Sequence, residues 1–131
     1  MPSRRKQRQA EEKLIGIARG PYPGFRASLA LMRSRDGGTS EDGFYYLLPH
    51  AAENVEALIA EFAQETDLGM RYWLLELIGA ARSPIAFDLL IALLKDEDDS
   101  IRRRAIWGLQ KLDSKDARRI LWEIRAAGIA G

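Results

Sequence analysis

Residues 100–109, with the sequence SIRRRAIWGL, carry the side chains best suited to bind another molecule. Arg102, Arg103 and Arg104 are consecutive, and Trp107 follows within one helical turn. Guanidinium groups pair with carboxylates and phosphates, and they stack on aromatic rings. A large indole on the solvent side of a helix is costly unless arginine stems, another segment or a partner covers it. The segment is therefore either a binding site or the solvated side of a structural helix, and its place among the surrounding helices decides between the two.

Catalytic chemistry has little support in the sequence. The chain has no cysteine, which excludes disulfides, thiolate metal ligands and a cysteine nucleophile. Its single histidine, His50, follows Leu48 and Pro49 and is predicted to be a capping or hydrogen-bonded turn residue. The densest carboxylate cluster, DEDD at 96–99, falls in a predicted turn, where exposure to water gives no reason for a raised pKa. Since phosphate-loop, nucleophile-elbow and dinucleotide motifs are also missing, we expect a non-enzyme without metal or cofactor.

The composition is that of one soluble globular domain. A chain of 131 residues, with 47% hydrophobic and 30% charged residues, is long enough to bury one apolar core. No apolar run approaches the roughly 20 residues that a membrane span needs. The N-terminal sequence MPSRRKQRQAEEK is basic but lacks the apolar region of a secretory signal. We expect a cytoplasmic protein that does not associate with membranes.

The net charge of +1 conceals a strongly blocked distribution of charge. Residues 1–39 hold nine Lys and Arg against three acids, and residues 40–70 hold seven acids and no Lys or Arg. Residues 100–131 hold eight basic side chains against three acidic ones. Such a chain can present a basic face and an acidic face, so a partner of either sign is conceivable.

A repeat of 31 residues organises the C-terminal part of the chain. One amphipathic stripe consists of Ile101, Ala105, Gly108, Leu109 and Leu112, and 31 residues earlier it recurs as Met70, Leu74, Leu77, Ile78 and Ala81. The preceding helix repeats with the same offset, as Val55, Leu58, Ile59, Phe62 and Ala63, then Ala86, Leu89, Leu90, Leu93 and Leu94, then Ala117, Ile120, Leu121, Ile124 and Arg125. The polar residue that ends the third copy predicts a stack whose C-terminal end is capped toward water.

Helix boundaries follow from the capping and helix-terminating residues within this pattern. Caps at Ser83, at Asp99 or Ser100 and at Ser114, together with the stop at Gly128, predict helices at 52–64, 68–81, 84–95, 100–112 and 114–127. Upstream we expect helices at 5–18 and 25–34, a mobile loop at 36–43 and a short apolar turn at 43–49. We therefore predict one domain, in which residues 1–51 form a helical segment with a basic arm and residues 52–131 form the repeats.

The unit at 86–113, AFDLLIALLKDEDDSIRRRAIWGLQKLD, resembles a short HEAT repeat of the lyase-associated type. Ile101, Arg102 and Ala105 fill the motif of its second helix, and Met70 and Arg71 fill the same motif one repeat earlier. The resemblance covers residues 52–127 and implies an all-α fold, a short right-handed α–α superhelix of HEAT-like hairpins. It also implies that Arg102 reaches the acidic turn at 96–99 and ties adjacent repeats together, and that Arg71 does the same toward Glu65 or Asp67.

The second helices of HEAT stacks line the concave surface, where ligands usually bind. We therefore predict a partner-binding site on the outer side of these helices, with two readings left open for Trp107, binding or packing against a neighbouring helix. The predicted site consists of Tyr72, Trp73, Glu76, Arg103, Arg104, Trp107 and Lys111, and a second-choice acidic docking face consists of Glu53, Glu56, Glu61 and Glu65. Trp122, beside the core stripe, is expected to be packed.

Three function classes follow. The first is a non-catalytic protein-binding module, such as a bacterial adaptor or an immunity protein that neutralises a toxin, whose partner is another protein, a toxin or an enzyme. The second is a nucleic-acid-binding protein that uses the arm at 4–8 and the arginines of 102–119, although the acidic middle of the chain argues against a broad phosphate-tracking surface. The third, a bilin lyase-like protein, is implied only by the namesake of the repeat.

Overall fold

The computed structural model describes residues 20–128. Within this range the chain is helical, and it contains no strand. The α-helices are α1 (Phe25–Met32), α2 (Gly37–Leu47), α3 (Val55–Gln64), α4 (Leu68–Ala80), α5 (Phe87–Leu93), α6 (Asp99–Leu112) and α7 (Lys115–Ala126). The chain divides into two compact units, one up to Ala51 and the other from Ala52. The predicted helix at 5–18 lies outside the described residues.

The first unit pairs α1 with α2, followed by the 3-10 turn Leu48–His50. Helix α2 covers most of residues 36–43, so the prediction of a mobile loop there is wrong. Its first turn is stabilised by Asp36, whose carboxylate accepts hydrogen bonds from the backbone N–H and the hydroxyl of Thr39, at 2.9 and 2.7 Å. Both bonds lower the pKa of Asp36, and the bond from the hydroxyl has the larger effect.

Close packing of α1 on α2 explains one glycine of the supposed loop. A Cβ on Gly43 would lie 2.5 Å from the carbonyl oxygen of Ser28 and 2.6 Å from the amide nitrogen of Met32. Gly43 is therefore required by a helix contact and not by a turn. In the same unit the His50 ring stacks on Tyr22, with centroids 3.9 Å apart, so the single histidine is part of a ring contact.

The second unit consists of two helical hairpins, α3–α4 and α5–α6, followed by α7. Side-chain caps fix where three of these helices begin. The carboxylates of Asp67 and Asp98 accept the N–H of Met70 and Ile101, each at 2.9 Å, and the Ser114 hydroxyl accepts the N–H of Ala117 at 3.1 Å. The helix starts near 68, 100 and 114 are thus confirmed to within one residue, and the predicted all-α arrangement of helical hairpins is confirmed.

The core of this unit lies between the second helices, α4 and α6, and the first helices that pack on them. The turn Pro84–Ala86 also contacts α3, which brings successive first helices together. Most positions of the apolar stripes predicted from the repeat point inward, but Ala63 is exposed, and Ile120, Leu121 and Ile124 of the third copy are only half-buried. The fully enclosed side chains include Leu58, Leu74, Leu75, Leu77, Ile78, Leu90, Ile101 and Leu109. Burial of these side chains supplies the main drive for stacking.

The repeat extends to the backbone conformation at the helix ends. Arg82 and Asp113, which are 31 residues apart, both adopt the left-handed conformation, with φ of 52° and 50°. This conformation ends a helix and is uncommon for residues other than glycine. Each of these residues is followed by a serine, Ser83 or Ser114, that caps the next helix.

Candidate protein-binding surfaces

Each hairpin is closed by an arginine from its second helix. Arg71 donates to the carbonyl oxygens of Phe62 and Glu65, at 3.2 and 3.1 Å, and Arg102 donates to those of Asp96 and Glu97, at 2.7 and 3.1 Å. The Phe62 carbonyl lies in the last turn of α3, and those of Glu65, Asp96 and Glu97 lie in the turns that follow the first helices, beyond the intrahelical hydrogen bonds. The predicted targets are confirmed, but the contacts lie within one hairpin, so the prediction that these arginines tie adjacent repeats together is wrong.

The link between adjacent repeats is made by Tyr72, Glu76, Asp98 and Arg104. The Tyr72 hydroxyl on α4 donates to the Asp98 carboxylate at 2.9 Å, while Asp98 also caps α6. Arg104 on α6 reaches back over the Tyr72 ring, with its Cζ 4.3 Å from the centroid, and pairs with Glu76 at 3.1 Å. Four side chains thus join the two second helices.

Electrostatics fix the protonation states in this network. Burial, and then the hydrogen bond to Asp98, raise the pKa of Tyr72, so the phenol remains a donor. The hydrogen bond from the Ile101 backbone, followed by the one from Tyr72, lowers the pKa of Asp98 against the opposing effect of burial. Asp98 therefore stays a carboxylate and accepts from both helices at neutral pH.

Trp107 packs at the same joint. A Cβ on Gly79 of α4 would lie 2.6 Å from Cζ3 of the Trp107 ring and 3.3 Å from the Cα of Gly108. The missing side chain of Gly79 is what lets the indole and the α6 backbone approach α4. The Lys111 ammonium lies over the indole, 5.4 Å from its centroid, and Arg82 donates from Nε to the Lys111 carbonyl oxygen at 3.0 Å.

The structure brings most of the predicted site together on α4 and α6, but largely in contacts within the chain. Tyr72, Glu76 and Arg104 share one network, and Trp107 and Lys111 form a second group beside Gly79. Trp73 is half-buried on α4. Arg103 is the most exposed cation of the predicted site, with 68% of its side chain accessible, and it pairs with Asp99 in the first turn of α6. The role of these residues toward a partner stays a prediction.

The second-choice acidic residues do not all lie on one helix. Glu53 lies in the turn Ala52–Asn54 before α3, and Glu65 lies just after α3, where its carboxylate accepts the N–H groups of Thr66 and Asp67. Only Glu56 and Glu61 are within α3, and five residues place them about 140° apart around the helix axis. As a docking face this set also stays a prediction.

An exposed aromatic side chain lies on α7. Trp122 is 69% accessible, although packing beside the core was expected, so that expectation is wrong. Arg118, Arg119 and Arg125 precede or follow it by three or four residues and therefore share its side of the helix. We call these four residues the α7 patch. Arg118 pairs with Asp113 at 3.2 Å and Arg119 with Asp116 at 3.8 Å, and all four of these charged side chains are more than half exposed.

The comparison with family models decides the classification. A model of HEAT repeats matches residues 55–128, which is more than half of the chain. The chain belongs to the HEAT-repeat family. No curated protein and no solved structure matches it. HEAT repeats generally mediate protein–protein interactions.

The surface location of Trp122 was not predicted, although the equivalent positions of the HEAT repeats indicate it. The equivalent positions in the first and second HEAT repeats are Ala60, which is exposed, and Ile91, which is half-buried. A position filled by alanine in one copy is not an essential core position. Comparison of all three copies therefore points to a surface location for the indole.

Other kinds of site find no support in the part of this HEAT chain that the structure describes. Among residues 20–128, no group of three or more His, Cys, Asp or Glu is arranged to hold a metal ion. No helix in that range combines the length and the apolar character needed to cross a membrane. A wide, shallow groove of about 680 Å³ lies between Leu68, Ala92 and the turn at 95–98, but two of its carboxylates, Asp96 and Asp98, already accept backbone N–H groups.

Proposed function

We propose that this HEAT-repeat chain is a non-catalytic protein-binding module that binds its partner through the α7 patch. The observation that carries the proposal is the 69% exposure of Trp122 between Arg118, Arg119 and Arg125. Tryptophan and arginine are the residue types most enriched among the energetically dominant positions of protein interfaces. An exposed indole gains much from burial, and the arginine stems beside it extend the apolar area.

The partner expected at this patch is a protein with an acidic surface. The acids that pair with Arg118 and Arg119 are exposed, and exposed ion pairs contribute little to stability. Carboxylates of a partner can therefore replace Asp113 and Asp116 at small cost. Long-range attraction between opposite charges would also accelerate the encounter, especially at low salt.

Within this class, we favour the role of a cytoplasmic adaptor or of an immunity protein that covers the active surface of a toxin. Both roles require a rigid surface and no chemistry of the module itself. A stacked pair of hairpins, joined by the network of Tyr72, Asp98 and Arg104, offers such rigidity.

Nucleic acid is the second candidate, because an exposed indole among guanidinium groups is also a platform for stacking a base. The acids interspersed on α7, Asp116 and Glu123, make the patch less suited to follow a phosphate backbone. The predicted basic arm at residues 4–8 lies outside the described residues. No specific feature of residues 20–128 favours a bilin lyase.

The test compares capture of partners by wild-type chain and by the Trp122→Ala variant, each immobilised and exposed to extract of the native host at low and moderate salt. Loss of the anchor should reduce capture of a specific acidic protein by at least about tenfold. Ile85→Ala is the matched control, since Ile85 is an apolar side chain of the same unit with 54% exposure, outside the α7 patch. Equal capture by wild-type chain and Trp122→Ala, or retention of nucleic acid alone, would contradict the proposal.

A further inference from the structure

Equivalent positions of the second and third repeats differ in how well they are covered. Leu75 of α4 and Leu90 of α5 are 0% and 1% exposed, whereas Ile106 of α6 and Leu121 of α7, 31 residues later, are half-exposed. Three further pairs show the same difference. Gly79, Ala81 and Leu93 are buried, whereas the residues 31 positions later, Gln110, Leu112 and Ile124, are more exposed. The loss of cover follows one side of α6 and the adjoining side of α7.

Helix α6 provides the cover in the earlier copy. It packs along α4, where Gly108 and Trp107 lie against Gly79, and it also packs on α5, where Leu90 lies against Gly108. One second helix thus closes the groove between the preceding second helix and its own first helix. Among the described helices of the second unit, none packs on both α6 and α7 in this way.

The charges along this groove differ from those in the filled copy. On α4, Tyr72 and Glu76 receive the cation Arg104 of the covering helix. The position equivalent to Tyr72 on α6 is Arg103, whose side chain is 68% exposed and pairs with Asp99, the first residue of α6, which is 52% exposed and also pairs with Arg102. A covering helix with a cation at this place would be repelled, whereas one with a carboxylate would replace Asp99.

We propose that this open groove, lined by Ile106, Gln110, Leu121 and Ile124 with Arg103 at its rim, binds one amphipathic helix of a partner protein that carries an acidic residue opposite Arg103. The inference rests on the proposed protein-binding function but does not use Trp122, although Arg118 and Arg125 of the α7 patch, three residues before and four after Leu121, border this groove. Trp122 follows Leu121 by about 100° around the helix and lies about 160° from Ile124. The apolar stripe of the bound helix covers the half-exposed leucine and isoleucines, and the carboxylate sets its register.

The repeat itself supplies the probe, because α6 is the helix that fills the earlier groove. We choose a synthetic peptide with the sequence of residues 98–113, carrying Arg104→Glu to meet Arg103 and Trp107→Ala because Gln110 fills the space that Gly79 leaves open. The control peptide carries Trp107→Ala alone and keeps the arginine. Both peptides bear a fluorophore at the N-terminus, and binding to the full chain is measured by anisotropy at low salt.

The glutamate peptide should bind at least about tenfold more tightly than the arginine peptide. The exchange Arg103→Glu on the chain, at an exposed position, should reverse this preference without affecting folding. Leu121→Arg should weaken both peptides, and circular dichroism checks that its helices persist. Absence of binding by either peptide, or a preference that Arg103→Glu does not reverse, would overturn the inference.

Trp122→Ala separates this inference from the proposed function. It should leave the affinity for the glutamate peptide unchanged while it abolishes capture through the α7 patch. If Trp122→Ala abolishes capture and Arg103→Glu has no effect on either peptide, the proposed function stands and the open groove is not a binding site. If Trp122→Ala weakens the peptide as strongly as Leu121→Arg does, the peptide binds elsewhere and the inference fails.

Discussion

Arg102 and Arg103 are neighbours of identical type that both pair with Asp99, but only Arg102 also binds backbone carbonyls. Arg102 lies beside the core stripe and donates to two backbone carbonyl oxygens in the turn between α5 and α6. Arg103, one residue later, points to solvent and makes an exposed ion pair with Asp99. Hydrogen bonds from a cation to fixed carbonyls are stronger than exposed ion pairs, so the two arginines should differ in their contribution to folding.

At this scale we predict that Arg102→Ala lowers the free energy of unfolding by about 1–2 kcal/mol, because two carbonyls of the hairpin turn lose their donor. Arg102→Lys should recover less than half of this loss, since one ammonium group cannot match the planar fork of the guanidinium. Urea denaturation followed by circular dichroism measures both values.

Arg103→Ala is the matched control for this comparison. It removes an exposed ion pair and should change the free energy of unfolding by no more than about 0.5 kcal/mol. Equal losses for Arg102→Ala and Arg103→Ala would refute the structural role of Arg102.

At the scale of elements, α4 and α6 pack closely because Gly79 has no side chain at their contact. Gly79 lies near the end of α4, against Trp107 and Gly108 of α6, and its equivalent on α6 is Gln110, which borders the open groove. Glycine within a helix costs about 0.5–1 kcal/mol relative to alanine. This cost is offset by the contacts of the Trp107 ring and the α6 backbone, which a larger residue would displace.

We therefore predict that Gly79→Ala destabilises the fold by about 1–2 kcal/mol, although alanine is the better helix former. Gly69→Ala, in the first turn of the same helix, is the control, because a Cβ there would meet only the Asp67 carboxylate at 3.5 Å. It should leave the stability unchanged or raise it by about 0.5 kcal/mol. Denaturation of the two variants and of the double variant Gly79→Ala with Trp107→Ala measures the coupling between ring and glycine.

The direction of the coupling decides the interpretation. If the Trp107 ring is what a Cβ at position 79 displaces, Gly79→Ala should lower the free energy of unfolding by less in the Trp107→Ala background than in the wild-type chain. Additive effects of the two changes would mean that Gly79 and Trp107 do not share this contact.

The element scale also shows what the sequence could reveal. Helical periodicity and the offset of 31 residues located the hairpins, because both depend on which side of each helix faces the core. The prediction of a loop at 36–43 fails because its glycines are compatible with a helix: Asp36 caps α2, and Gly43 allows the close contact with α1. Sequence reasoning also failed at Trp122, because the prediction of packing rests on the equivalent Ile91, whereas the first copy has an exposed alanine, Ala60, at this position. The bridge of Tyr72 to Asp98 was not predicted, since it joins residues 26 positions apart whose proximity depends on the packing of α4 on α6.

At the scale of the whole molecule, burial and charge change along the stack of the second unit. Helix α4 has six buried residues, whereas Ala117 is the one buried residue of α7. Residues 52–67, which include α3, hold acids and no Lys or Arg, and α7 holds Lys115, Arg118, Arg119 and Arg125 against Asp116 and Glu123. The stack therefore leads from a well-packed middle to a basic last helix that is incompletely covered.

This gradient predicts how the protein opens. In a stack, each helix is stabilised by the neighbours that it contacts, so the helix with the least buried surface should open at the lowest free energy. We expect the backbone amides of α7 to exchange with deuterium at least about tenfold faster than those in the middle of α4, as measured by mass spectrometry on the full chain. Dilution of the sample, which separates any associated copies, should leave this ratio unchanged.

The glutamate peptide should slow exchange in α7 more than in α4, because the added helix covers Leu121 and Ile124. Exchange in α7 as slow as in α4 without any ligand would mean that the last helix is already fully supported, and the open groove would then lack the vacancy on which its binding depends.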